Sequence, residues 1–126
     1  NSFLVFLSLQ QKTKGIMKIK IKPVSRNRLL ILDQEDVAFI MGPCFRYFTA
    51  IINGNYCNDC KSTHTSKLVN YKIFLDSSNN ILIQGYCDKC KTQIKRCIET
   101  GEKIGPNERA EITWTVKVDL LGIQTL

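Results

Sequence analysis

Four cysteines of this chain form two C-x-x-C pairs, Cys57 with Cys60 and Cys87 with Cys90. Two cysteines three positions apart can direct both sulfurs at one ion. Four thiolates at about 2.3 Å then complete the closed tetrahedral shell that zinc accepts in structural sites. A sulfur-only set also suits iron. Because a closed shell leaves no position for a substrate, the spacing predicts one structural zinc ion.

The two pairs lie in a repeated pattern, Tyr-Cys-x-x-Cys-Lys, at residues 56–61 and 86–91. A redox pair of the thioredoxin type needs one such motif in a βαβ setting, and a disulfide framework needs a secretory context. The apolar residues 3–9 are followed, not preceded, by basic residues, and no cleavage site comes after them. We therefore expect a cytoplasmic protein, in which paired cysteines favour metal binding over disulfides.

The cysteines bracket a segment, 54–103, that is rich in Ser, Thr, Asn and Lys between the two pairs. Alternating apolar residues predict a hairpin of strands 67–75 and 81–86, joined by a turn of Asp, Ser and Asn residues. Residues 92–100 are interpreted as a helix that Gly101 ends. Because this segment has few apolar residues to bury, we expect zinc to supply about 10–16 kcal/mol of apparent folding free energy.

Residues 54–101 resemble the four-cysteine zinc fingers of the treble-clef and zinc-ribbon groups. In a treble clef, a knuckle supplies two ligands, a hairpin follows, and the last two ligands begin a helix. That resemblance implies Cys57 and Cys60 in the knuckle and Cys87 and Cys90 at the helix start. A zinc ribbon would instead continue from Cys90 as a strand. The group is functionally diverse, so the resemblance implies an architecture and not an activity.

The remaining chain predicts an α+β fold, a small mixed strand and helix core with the four-cysteine zinc-binding module inserted in it. Strict alternation predicts strands at 17–22 and 111–120, and a buried strand is expected at 28–32. Asp33 is expected to cap a helix that ends at Gly42-Pro43. A second short helix is expected over 44–52, although its aromatic residues also permit a strand. The predicted organisation is an N-terminal extension 1–16 upstream of a candidate start at Met17, a core of 17–53 and 104–126, and the module 54–103.

Four further residues have chemically useful side chains but no suitable spacing. Cys44 and Cys97 are expected to be core residues, because free cysteine is among the most buried residue types. His64 is expected on an exposed loop, with replacement of a cysteine ligand as the alternative. Trp114 is expected in the core, with a partner contact as the alternative.

Basic residues outnumber acidic ones by 18 to 11, for a formal charge of +7. Zinc held by four thiolates contributes −2, which lowers the total to about +5, and a start at Met17 would lower it to about +3. Lysines around a knuckle can neutralise phosphates, although they can equally serve solubility. The candidate nucleic-acid-binding residues are Lys18, Lys20, Lys22, Arg26, Arg28, Lys61, Lys89, Lys91, Lys95 and Arg96.

These features predict a small zinc-stabilised, non-enzymatic protein that binds DNA or RNA or serves as an accessory module. The alternative is a protein-interaction or structural subunit whose zinc only stabilises the fold and whose apolar N- or C-terminal segment contacts a partner. An enzyme such as a treble-clef nuclease needs a catalytic His near a metal-binding cluster, and His64 has none beside it in sequence. No apolar stretch approaches the ~20 residues of a membrane span, so no membrane contact is expected.

Overall fold

The computed structural model describes residues 28–126, except the side chains of Ser62, Thr63 and His64. The first half of this range forms strand β1 (Leu30–Leu32), helix α1 (Gln34–Met41), a 3-10 helix (Gly42–Tyr47), helix α2 (Phe48–Asn53), and strands β2 (Asn55–Cys57) and β3 (Ser62–Ser66). It continues with strands β4 (Leu68–Leu75), β5 (Ile81–Cys87) and β6 (Gln93–Ile98), a 3-10 helix (Thr100–Glu102), helix α3 (Ile104–Trp114) and a π-helical segment (Thr115–Leu120). The α+β fold class predicted from the sequence is thus confirmed.

Antiparallel pairing organises the strands into two sheets. The larger sheet has the order β1-β4-β5-β6, and the smaller one contains β2 and β3. One face of the larger sheet packs into the core, where Leu30, Leu75, Ile81 and Ile83 are fully buried. Helices α1, α2 and α3 contribute the opposing apolar side chains, among them Ile40 and Trp114. The other face of the sheet carries more polar and exposed residues.

Local sequence signals explain the elements that were predicted correctly. Asp33 accepts a hydrogen bond from the Asp36 backbone N–H, and the Asp36 carboxylate accepts one from the Asp33 N–H, so the two form a capping box at the start of α1. The β4–β5 hairpin turns through Asp, Ser and Asn residues, with Asn79 in the left-handed region at φ 67°. Strand β1 and the short helices over 42–53 also lie where the sequence placed them.

The strand predicted over 111–120 is wrong, because this segment continues α3 into the π-helical turn. Its alternating pattern gave the period of a strand, but the buried residues Ala110, Thr113 and Trp114 follow helical spacing. The Trp114 indole N–H donates to the Asn79 side-chain oxygen at 3.0 Å, which ties this helix to the β4–β5 turn. Pro106 lies in the first turn of α3, where its missing N–H costs nothing.

The helix predicted over 92–100 is also wrong, because residues 93–98 form β6 beside β5. Ile94 and Ile98 face the core with Arg96 between them. These three alternate residues have the period of a strand, but the charge of Arg96 concealed this pattern in the sequence. The Arg96 guanidinium is accommodated because it donates to the Asn55 side-chain oxygen at 2.6 Å. The chain therefore leaves the second cysteine pair as a strand, and the treble-clef helix is not formed.

Other sequence predictions have mixed outcomes. Cys44 and Cys97 are exposed, so their assignment to the core is wrong; both line one surface groove beside β6. Trp114 is buried, as expected. His64 lies in β3, which corrects its loop assignment, and its side chain is outside the described part. The strand predicted over 17–22 lies outside the described residues. Within residues 28–126, none of the helices has the length and apolar character needed to cross a membrane.

Candidate metal centre

Each C-x-x-C pair occupies the turn of a β-hairpin. The first knuckle, residues 57–60, joins β2 to β3, and the second knuckle, residues 87–90, joins β5 to β6. In both knuckles the lysine that follows the second cysteine has a positive φ, 54° at Lys61 and 67° at Lys91. The repeated sequence therefore adopts a repeated backbone turn, which reverses the chain directly after the second ligand.

The hairpins bring all four sulfurs together. The Sγ atoms of Cys57 and Cys90 lie 3.5 Å apart, those of Cys60 and Cys87 lie 3.7 Å apart, and all four lie within 4.8 Å of one another. A tetrahedral zinc ion with bonds of about 2.3 Å requires sulfurs about 3.8 Å apart. The cluster fits one such ion, and each of the two short contacts joins one knuckle to the other.

Backbone N–H groups support the first sulfur of each knuckle in the same way. Those of Asp59 and Cys60 act to lower the pKa of Cys57, and those of Lys89 and Cys90 act to lower the pKa of Cys87. The hydrogen bond from the Lys89 N–H to Cys87 Sγ measures 3.3 Å between nitrogen and sulfur. Donors aimed at a sulfur stabilise the thiolate and orient it as a metal ligand.

The thiols influence one another's ionisation. A hydrogen bond with the Ser66 hydroxyl, at 3.4 Å, is the largest of the effects that lower the pKa of Cys87 to about 6. The neighbouring Cys90 and burial raise the pKa of Cys60 to about 12. Four thiolates this close repel one another unless a cation lies between them. A divalent metal supplies that positive charge, so the donor set fits the zinc predicted from its spacing.

Side chains outside the cluster connect the two knuckles. The Thr92 hydroxyl, just after the second knuckle, donates to the Asp59 carboxylate of the first knuckle at 2.6 Å and lies 3.2 Å from Cys90 Sγ. Below the first knuckle, the fully buried Asn55 donates to the carbonyl oxygens of Ile52, at 2.8 Å, and Ser66, at 3.3 Å. Sequence reasoning missed Thr92 and Asn55, because no motif marks residues that act through hydrogen bonds alone.

The predicted nucleic-acid-binding residues fall into three groups. Lys18, Lys20, Lys22 and Arg26 lie outside the described residues. Arg28 donates to Thr125 at 3.1 Å, and Arg96 is directed inward to Asn55, so the structure does not place these two with the others. The exposed members of the zinc module are Lys61, Lys89, Lys91 and Lys95.

Two of those lysines make local contacts. The Lys89 ammonium donates to the Thr65 carbonyl oxygen at 3.0 Å and lies 3.9 Å from the Asp88 carboxylate. The Lys91 ammonium donates to the Asp88 carbonyl oxygen at 3.1 Å. These side chains thus cover the outer surface of the second knuckle and add positive charge beside the sulfur cluster.

Strand pairing adds a surface that sequence reasoning missed. Residues paired across antiparallel strands project from the same face, and Lys72, Gln84 and Lys95 form one such row over β4, β5 and β6. The next row toward the second knuckle is Val69, Tyr86 and Gln93. We call these six residues the outer-face array. Recognising it required β6 to be a strand, so the helix predicted there concealed it.

The opposite end of this face has different electrostatics. Cys97 pairs with Leu82 there. Partial desolvation, followed by the charges of Asp76, Glu99 and Glu102, raises the pKa of the Cys97 thiol. Three carboxylates thus act on Cys97, at the end of the face away from the metal centre, whereas the array carries lysines.

The chain matches no protein-family model, no curated protein and no solved structure.

Proposed function

We propose that this protein is a zinc-stabilised, non-enzymatic nucleic-acid-binding module of the zinc-ribbon type. Support for the ribbon type comes from β6, because both cysteine pairs lie in hairpin turns and the chain leaves Cys90 as a strand. One zinc ion is the proposed cofactor, held by Cys57, Cys60, Cys87 and Cys90 as a closed structural site. Among the described residues, the candidate metal-ligating group contains sulfur alone, with no carboxylate or imidazole, which favours a structural role.

The outer-face array is the observation that carries nucleic-acid binding. Lys72 and Lys95 are exposed on strands that flank β5, so their backbones lie about 10 Å apart at the usual strand spacing. Among the described residues, neither ammonium group is paired with a carboxylate. Two unneutralised cations beside polar Gln84 and Gln93 make a surface that phosphates can approach. Lys91 adds a further positive charge at the same end of the sheet.

Salt-dependent binding tests this proposal. Titration of the zinc-loaded protein into labelled single-stranded and duplex DNA and RNA should give affinities that fall steeply with salt. Lys72→Gln and Lys95→Gln should each reduce the slope of log K against log salt by about 0.7 for a single strand. Lys103→Gln removes the same charge outside the sheet and should leave the slope unchanged. If the protein binds no DNA or RNA at low salt, the proposal is wrong.

A protein-interaction role is the second candidate, and the C-terminal segment favours it. Leu120, Leu121 and Leu126 are 72%, 66% and 65% exposed, and clustered exposed apolar side chains are typical of interaction surfaces. Leu126 and Leu29 exchange backbone hydrogen bonds of 2.8 and 3.3 Å, which hold this segment against the start of β1. Under this alternative, a Leu120→Ser and Leu121→Ser variant should lose self-association or partner binding and leave zinc content unchanged.

A further inference from the structure

We infer that the outer-face array binds single-stranded nucleic acid, with one unpaired base stacked on the ring of Tyr86. This inference rests on the proposed function and specifies its ligand. Tyr86 is 42% exposed although it lies on β5, an interior strand of the four-stranded sheet. A large aromatic ring left in solvent on a sheet face is suited to stacking on another flat ring.

The neighbours of Tyr86 match the parts of a nucleotide. On the same face, its direct cross-strand partners are Val69 and Gln93, and the row behind it holds Lys72, Gln84 and Lys95. Successive rows on one face lie about 7 Å apart. A base on the ring would therefore have glutamine amides near its edge and ammonium groups within reach of the flanking phosphates. Aromatic stacking combined with backbone neutralisation is the usual chemistry of single-strand binding.

A duplex fits this surface less well. Its base faces are already stacked on one another, so only a splayed or unpaired base can cover Tyr86. The array is also one face of a four-stranded sheet, and the sequence-reading part of a duplex lies within a groove that usually admits a helix or a two-stranded ribbon. Single-stranded ligands should consequently bind more tightly than duplexes of the same length.

The repeated motif provides a matched control. Tyr56 precedes Cys57 as Tyr86 precedes Cys87, and it is 47% exposed. Side chains alternate along a strand, so each tyrosine points away from its cysteine. Tyr56 lies on β2 of the two-stranded sheet, whereas Tyr86 and the rest of the array lie on the four-stranded sheet. One strand of nucleic acid lying on the array can stack on Tyr86 and not on Tyr56.

The experiment measures fluorescence anisotropy of a short labelled oligothymidylate or oligouridylate, and of a duplex of equal length, with zinc-loaded protein. Tyr86→Ala should weaken single-strand binding about 5- to 150-fold, while Tyr86→Phe should stay within about twofold, because it keeps the ring. Tyr56→Ala should bind as the unchanged protein does. Zinc content and melting temperature of each variant separate lost stacking from lost structure.

The possible failures are distinguishable. Equal losses in Tyr56→Ala and Tyr86→Ala, or duplex binding as tight as single-strand binding, would overturn the inference. If Tyr86→Ala binds normally while Lys72→Gln and Lys95→Gln bind weakly, the stacking is refuted and the proposed function stands. If no nucleic acid binds at low salt, both fail.

Discussion

The first knuckle closes the two-stranded hairpin β2–β3, whereas the second joins two strands of the four-stranded sheet. Both knuckles have the same sequence pattern and a lysine in the left-handed backbone region, but their surroundings differ. The second knuckle continues from β5, whose Ile81 and Ile83 are fully buried. The first rests on the polar Asn55, which is held by backbone carbonyls and Arg96. Equal ligand geometry is thus supported by burial on one side and by hydrogen bonds on the other.

This difference indicates how stability is distributed. Strands β2 and β3 pair irregularly, with a register shift between Asn55 and Cys57. An isolated two-stranded hairpin is at best marginally stable in water. We therefore expect the first knuckle to depend on the metal, and the second to keep much of its structure without it.

Loss of a ligand should have the largest effect. Cys60→Ser should abolish tight zinc binding and remove most of an apparent binding free energy of about 10–16 kcal/mol. Backbone amides of β2 and β3 should lose their protection against hydrogen exchange, while those of β4 and β5 should keep more of theirs. The control is Cys97→Ser, an exposed cysteine outside the cluster, which should retain one zinc per chain.

Removal of the metal with a chelator should reproduce that pattern. Uniform loss of protection in both knuckles would show that they are equally dependent on zinc and would remove the contrast between them. Unchanged melting and unchanged exchange after chelation would refute the structural zinc site itself.

Breaking the polar support of the first knuckle should have the next largest effect. Arg96→Met keeps a long side chain but removes the donor to Asn55 Oδ1 and to the Gly54 carbonyl oxygen, at 2.6 and 3.3 Å. The loss of the donor to the buried Asn55 Oδ1 should lower the free energy of unfolding by about 2–3 kcal/mol, measured by urea denaturation. Lys95→Met, an exposed neighbour on the same strand, should change stability by less than about 0.5 kcal/mol. Similar losses in both variants would argue against a specific role for Arg96.

The link between the knuckles should contribute less. Thr92→Val preserves the shape of the side chain but removes the hydroxyl between Cys90 Sγ and the Asp59 carboxylate. We expect a loss of about 1 kcal/mol in stability and about tenfold in zinc affinity, measured by competition with a chromophoric chelator. Asp59→Asn combined with Thr92→Val should cost less than the sum of the single changes. Strict additivity would mean that the two side chains are not coupled.

How far the sequence predicts this molecule also differs between its parts. The four-cysteine cluster was predictable, because C-x-x-C spacing is a local property that brings two sulfurs together whatever surrounds them. The capping box at Asp33 and the β4–β5 turn were predictable for the same reason. What the sequence could not provide was the polar support of the first knuckle, which joins Arg96 to Asn55 across 41 positions.

The two wrong elements have one cause in common, which is that a tertiary contact overrode a local pattern. Arg96 looks solvent-exposed in the sequence, so the alternation of Ile94, Arg96 and Ile98 did not indicate a strand with a buried face. In 111–120 the alternation was regular, but Trp114 is buried from a helix, and Asn79 accepts its indole N–H. In both segments a hydrogen bond between distant residues accompanies the observed element, and periodicity does not report such bonds.

The smallest effect tests the feature that the two knuckles share. A non-glycine residue in the left-handed region costs about 1–2 kcal/mol. Replacement by glycine removes that cost, but the greater conformational entropy of glycine in the unfolded chain cancels part of the gain. Lys61→Gly and Lys91→Gly should therefore each raise the free energy of unfolding by roughly 0.5 kcal/mol, measured by urea denaturation of the zinc-loaded protein. Lys95→Gly, in extended backbone, should instead lower it by about 0.5–1 kcal/mol. Equal gains at 61 and 91 would show that the backbone turn is the same in both knuckles and that their difference lies in what surrounds them. A gain at one position only would mean that the surroundings also set the strain in the turn.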